Sequence, residues 1–160
     1  VSPDVVPTTI TPAYVDAVLV VLNHIYGNAT RLMVATNTIP LQIPTDLRAI
    51  FADPEYGTQI EVFSVELDQG FSDVRRPLGD RVITVVRILS TSPGCIYVQD
   101  HTTFEHTSVD PVDDPYPQYL ALETKSPADD PDAINPTPWA ISYDVSFAAP
   151  ASPPPNPCAP

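Results

Sequence analysis

The stretch DRVITVVRILSTSPGCIYVQDHTTFEH, Asp80 to His106, decides the fold. Two runs rich in β-branched residues flank Ser92-Pro93-Gly94, so the segment reads as two long strands joined by a tight connection. Arg81–Ser90 is a nearly continuous β-branched run, the pattern of a central strand covered on both faces over part of its length. Cys95–His106 alternates. Ile96, Val98 and Phe104 share one face with Asp100, and Tyr97, Gln99, His101 and Glu105 share the other. Cys95 opens the second strand, and the only other cysteine, Cys158, sits in the closing proline-rich stretch.

Upstream, Thr11-Pro12 is a helix start, a capping Thr before Pro at the first helical position. From Ala13 to about Thr36 the apolar positions Tyr14, Val18, Val21, Leu22 and Ile25 form one stripe, continued by Ala29, Leu32 and Met33. A helix this apolar must be covered, most simply by lying across a sheet. Gly27 marks a weak point where it could kink or break. Pro40–Pro44 reads as a linker. Leu47, Ile50 and Phe51 suggest a short helix. Ile60, Phe63 and Leu67 predict another, from Glu55 or Thr58 to Gly70, although Val62 and Val65 leave a strand open there.

Downstream, Gln118–Lys125 reads as a third strand. Trp139–Phe147 reads as a fourth, with Trp139, Ile141, Tyr143, Val145 and Phe147 on one face. Acidic connections, Pro111–Pro117 and Pro127–Pro138, separate them. Helices followed by consecutive strands is the α+β pattern. The expected architecture is a long N-terminal helix and one or two shorter helices on a curved four-stranded antiparallel sheet, with proline-rich extended arms. Residues 1–11 form the first arm, 12–149 a single domain and 150–160 a tail.

The chain has 160 residues, with 21 prolines against 5 glycines and a net charge of −13 from 20 acids and 7 bases. That balance argues against nucleic acid, whose phosphates require clustered lysine and arginine. It equally disfavours an anionic membrane surface. The longest apolar run, Ala17–Leu22, is far short of the roughly 20 residues that span a bilayer. Two cysteines, no CxxC and a single lysine, Lys125, suit an exported protein. A Cys95–Cys158 bridge would close a loop of roughly 60 residues and contribute on the order of 4 kcal/mol; two free thiols are the competing reading. The chain starts at Val1, which is compatible with a removed export signal or anchor.

The order of elements and the apolar first helix resemble the cone-shaped α+β fold of the nuclear-transport-factor-like and ketosteroid-isomerase-like superfamily, loosely also called cystatin-like. A narrower resemblance, to uncharacterised exported actinobacterial proteins, is carried by TPAYVDAVLVVLNHIYGNATRL (Thr11–Leu32), ILSTSPGCIYVQ (Ile88–Gln99), INPTPWAISYD (Ile134–Asp144) and the closing NPC (Asn156–Cys158). The resemblance implies a curved sheet wrapping the long helix, a bacterial and extracytoplasmic setting, and no particular activity.

Relatives of the isomerase and dehydratase type use carboxylates, histidines and tyrosines projecting into the cone. The strand residues available for that are Tyr97, Asp100, His101, Glu105, Tyr143 and Asp144, with Tyr14 and His24 on the helix; the implied candidate pocket is Tyr14, His24, Asp100 and Tyr143, with a general base whose pKa burial would raise. No pair matches a superfamily motif position by position, so no catalytic residue is assigned. The competing reading places Asp100 in solvent near a strand end and His24 on the helix surface. His101, Glu105 and His106 are close in sequence, but His101 and His106 face opposite ways along a strand. The groups Asp110, Asp113, Asp114 and Asp129, Asp130, Asp132 lack the spacing and glycine of a calcium loop and read as solvated. No metal or cofactor is assigned. There is no GxSxG and no phosphate-binding glycine loop. Asn28-Ala29-Thr30 matches a glycosylation sequon but falls inside the predicted helix. The face bearing Tyr97, Gln99 and His101, with fourth-strand aromatics, offers a contact surface for a partner or a second copy. Alternatively, those aromatics pack under the protein's own helices and arms.

The expected function is a non-catalytic exported or cell-envelope-associated binding or assembly module, with a protein partner or self-association. A small-molecule-binding protein or an isomerase- or dehydratase-like enzyme with a pocket in the cone is the second reading. A subunit of an extracellular polymer joined through its arms is the third. The cysteine reading has a direct check. Alkylation of the unfolded chain without reductant should leave its mass unchanged; uptake of two alkyl groups would show that the bridge is absent.

Overall fold

Thr11 begins the longest element. Its Oγ1 accepts a hydrogen bond from Tyr14 N at 3.3 Å, and Pro12 occupies the first turn, where its missing N–H is not needed. The computed structural model describes residues 1–70, 79–104, 112–113, 117–146 and 153–160. Helix α1 (Pro12–Thr36) runs without a break through Gly27 and ends at Asn37, whose φ of 50° is left-handed. Gly27 is there for close approach. A Cβ at this position would lie 2.1 Å from Asp80 Oδ1. Asp80 accepts from His24 Nδ1 at 2.8 Å and forms an ion pair with Arg31 Nη1 at 2.9 Å. Burial pushes the Asp80 carboxyl up, but these two bonds outweigh it and hold it below the ordinary carboxylate range.

Helix α2 (Gln42–Ile50) starts inside the expected Pro40–Pro44 linker, because Pro44 is tolerated in a first turn. Helix α3 (Glu55–Asp68) decides the helix-or-strand question of that segment, with Val62 and Val65 on its exposed side. The strands are β1 (Arg81–Ser92), β2 (Cys95–Phe104), a two-residue β3 (Val112–Asp113), β4 (Gln118–Thr124) and β5 (Trp139–Ser146). The strands pair antiparallel with one another in the order β1-β2-β4-β5, with β3 paired to the end of β2, and Phe51 adds an isolated parallel bridge to Ile141 of β5. Gly94, at φ 79°, makes the tight β1–β2 turn.

Three expectations need correction. The sheet is neither closed nor strongly curled, so the curved sheet and the cone of the nuclear-transport-factor-like and cystatin-like fold are not present. Strands β1 and β5 are its two edges and do not pair with each other. Element order is shared by wrapped and open sheets alike, and therefore could not decide curvature.

Second, β1 is an edge strand rather than a central one, and Val82 and Val86 are exposed. A β-branched run specifies a strand but not its neighbours. Two irregularities, between Val85 and Arg87 and between Ile88 and Ser90, break the regular edge, a device that discourages edge-to-edge pairing.

Third, the fourth-strand aromatics do not share a face. Leu122 pairs with Ile141 and Ala121 with Tyr143, so Ser142 is an extra residue. Trp139 and Ile141 join the helix-side core, while Tyr143 and Val145 pack on the opposite face. Phe147 lies outside the described residues.

The main core lies between α1, α2, α3 and one face of the sheet. Leu22, Phe51, Phe63, Ile96, Leu120 and Leu122 are fully buried there, each worth about 1.5–3 kcal/mol. A second, smaller cluster of Tyr97, Tyr119 and Ala121 lies on the other face, with Cys158 packed against it. Gln118 to Leu122 of β4 are accordingly buried at every position.

Gly27→Ala should not yield the gain of up to about 1 kcal/mol that alanine normally brings to a helix, because the Cβ displaces Asp80 from His24 and Arg31. In an Asp80→Ala background the same substitution should stabilise. Urea titration of the four members of this cycle measures the sign reversal.

Candidate functional site

The four residues named for a pocket are spread over the molecule. Tyr14 is buried, and its hydroxyl accepts from Trp139 Nε1 at 2.8 Å. That places it at the end of the sheet where Trp139 faces Thr124. Asp100 lies at the other end, opposite Val85 and Gln118. The Thr124-to-Gln118 span of β4 separates these ends by about 20 Å. Asp100 is 3% exposed rather than in solvent, and Thr102 Oγ1 donates to it at 3.3 Å. His24 has 62% of its side chain exposed and is bound to Asp80. Tyr143 is on the opposite face of the sheet. The structure does not bring the four together.

Asp144, one of the strand residues considered for the pocket, joins a network on the helix side with residues that sequence reasoning gave no role. Arg81 leaves edge strand β1 and reaches Asp144 on the far edge strand β5, with Nη2 3.0 Å from Oδ2. Its Nε donates to Asn23 Oδ1 at 2.8 Å, and its guanidinium stands 5.0 Å from the Tyr26 ring centroid. Glu55, at the start of α3, accepts from Gln59 Nε2 at 2.8 Å and lies within electrostatic reach of Asp144 and Arg81. Burial pushes the Glu55 carboxyl up. Burial also pushes the Tyr26 hydroxyl up to about 12, against the pull of Arg81. Arg81 has the parity of Ile83 and Val85, a readable sign that it points inward. Asp144 reaches the same face only because of the irregularity at Ser142.

The second acidic loop is knitted into the fold. Asp130 accepts from Lys125 Nζ at 2.7 Å, Ile134 N at 2.7 Å and Asn135 N at 3.1 Å. Lys125 also donates to Asn135 O. Asn135 Nδ2 bridges to Ala49 O at 2.9 Å and Trp139 O at 2.8 Å. Asp129 pairs with Arg48 at 3.0 Å. The expectation of solvated carboxylates fails for Asp130, whose side chain is 0% exposed. Among the described residues no three His, Cys, Asp or Glu side chains could hold a metal ion. Glu105, His106, Asp110 and Asp114 lie outside the described residues.

The outer face of the sheet is built differently. Cys95 and Cys158 form a disulfide across 63 residues of sequence, with Cα atoms 5.6 Å apart. The tail then lies on the tyrosines. Tyr97 OH donates to Pro154 O at 3.1 Å, and the Tyr97 and Tyr119 ring centroids are 6.3 Å apart. Tyr97 and Tyr119 are only 2% and 3% exposed. Leu89, Tyr143 and Val145 complete the cluster.

No protein-family model matches the chain, and neither curated proteins nor solved structures provide a match. The resemblance to exported actinobacterial proteins, and the bacterial origin it implied, therefore have no relative to carry them. The fold and site define an α+β domain with helices on one face of an open sheet and a disulfide-tethered tail on the other. No helix among the described residues is long and apolar enough to cross a membrane.

Arg81→Met should lower stability by about 3–5 kcal/mol, because Asp144 is left largely buried without its counter-charge. Arg81→Met combined with Asp144→Leu should recover most of that loss. Urea midpoints of the single and double variants decide it.

Proposed function

We propose that this chain is a non-catalytic binding or assembly module of an oxidising, extracytoplasmic compartment. The contact between the tyrosine face and the proline-rich tail carries the reading. An aromatic surface that donates a hydroxyl to a proline carbonyl is the chemistry by which proteins recognise extended proline-rich segments. The Cys95–Cys158 bridge supports the compartment, since such bonds persist where thiols are not kept reduced. The first arm adds exposed apolar side chains, Val1, Val5 and Val6, available to a neighbour. Dispersal of Tyr14, His24 and Asp100, each bound to a structural partner, favours this reading over a pocket enzyme.

Native mass spectrometry of the protein taken from its own source tests the proposal. The expected result is a complex of more than one chain, made of further copies or a protein partner. A single chain retaining a small organic molecule would overturn it.

A further inference from the structure

We propose that the tyrosine face is a groove for a proline-rich segment, filled here by the chain's own tail and, in the assembled state, by the tail of a second copy. The inference rests on the assembly reading above and names its occupant.

The groove is made of Leu89, Tyr97, Tyr119, Ala121, Tyr143 and Val145, with Tyr97 donating to Pro154 O at 3.1 Å. The segment on it, Pro153-Pro154-Pro155-Asn156-Pro157-Cys158, has the composition of a polyproline ligand. It is shaped by its own bonds: Asn156 Oδ1 accepts from Cys158 N at 2.8 Å and Asn156 O from Ala159 N at 3.1 Å. It is therefore seated as a ligand is seated, by a donor, by the packing of Cys158 against the tyrosine cluster and by one covalent bond, and not as a further strand.

Charge selects the occupant. Each copy carries −13, so copies repel over most of their surface. Residues 153–160 have no charged side chain, and neither do the six groove residues. Charge stands at the margin, where Arg87 Nε holds Gln99 Oε1 at 2.8 Å and Glu123 lies opposite Cys95. This neutral contact is where two like-charged copies can meet. A second tail offers the same atoms and the same cysteine, so exchange loses no contact. The balance then follows protein concentration against the effective concentration of the attached tail.

The covalent step is thiol–disulfide exchange. A small thiolate such as glutathione attacks the bridge, leaving a mixed disulfide on Cys95 and a free thiolate on Cys158. The Cys158 thiolate of one copy attacks the Cys95 sulfur of the next and expels the small thiolate, so the numbers of disulfides and thiols are unchanged.

The experiment mixes full-length chains of natural isotope content with ¹⁵N-labelled chains in a glutathione redox buffer. Alkylation quenches the exchange, and mass spectrometry maps the bridges. Light–heavy Cys95–Cys158 bridges are expected, in a fraction that rises with concentration towards about 1 mM. A second arm adds a peptide of residues 153–160 or its counterpart with every proline replaced by alanine. Capture of the proline peptide on Cys95 should exceed that of the alanine peptide by about fivefold or more. Equal capture would overturn the groove. Preferred capture without light–heavy bridges would overturn the second copy as occupant and point to a foreign proline-rich segment. A native complex larger than one chain would leave the assembly reading standing in either case.

Discussion

The bond between Cys95 and Cys158 is the constraint on which the outer half of this protein depends. An antiparallel sheet with apolar residues on both faces needs two covers. Helices α1, α2 and α3 supply one. The other is a proline-rich tail, which has few backbone donors and no regular ladder with the sheet. A cover of that kind offers little area against the entropy of ordering it. Closing a loop of 63 residues removes much of the tail's freedom in the unfolded chain. The tyrosines of β2 and β4 are buried because the tail is tethered.

The inner half is organised by a different long-range element. Arg81 and Asp144 stand on opposite edges of an open sheet and meet across its helix-facing side. Asn23 and Tyr26 bring α1 to the same guanidinium, and Glu55 places a carboxyl of α3 within electrostatic reach of the pair. One cation thus orients two helices against both margins of the sheet. A buried ion pair is a weak source of net stability, because desolvation offsets most of the attraction. Its contribution here is positional: it allows few alternative placements of α3 and β5. The loop around Asp130 and Asn135 works similarly at the opposite end, tying α2 to the start of β5 through Ala49 and Trp139.

Much of the fold was legible in consecutive residues. Thr11-Pro12 and the stripe from Tyr14 to Met33 specify α1, and the alternation after Cys95 places Ile96, Val98 and Asp100 on the helix side. The disulfide pairing followed from there being two cysteines, one in a tail with no packing reason for it. The candidate site was not legible. Tyr14, His24, Asp100 and Tyr143 were grouped because a wrapped sheet would have drawn them together, and this sheet does not wrap. Tyr143 was further misplaced because parity was carried along β5 through Ser142, where the register shifts.

The sequence by itself determined the class, the helices, the strands and the covalent tether, because periodicity, capping and composition are properties of neighbouring residues. Only the tertiary structure decided which strands are edges, where registers shift and which side chains meet across the sheet. Those depend on two or more segments at once. Val82 and Val86 illustrate the point: their β-branched neighbourhood makes β1 a strand, but whether anything covers the face they occupy is settled only by the packed fold, which leaves them exposed. Tyr97 illustrates the converse. Its place on the outward face was readable, and its burial required a tail that closes over it from 57 residues away.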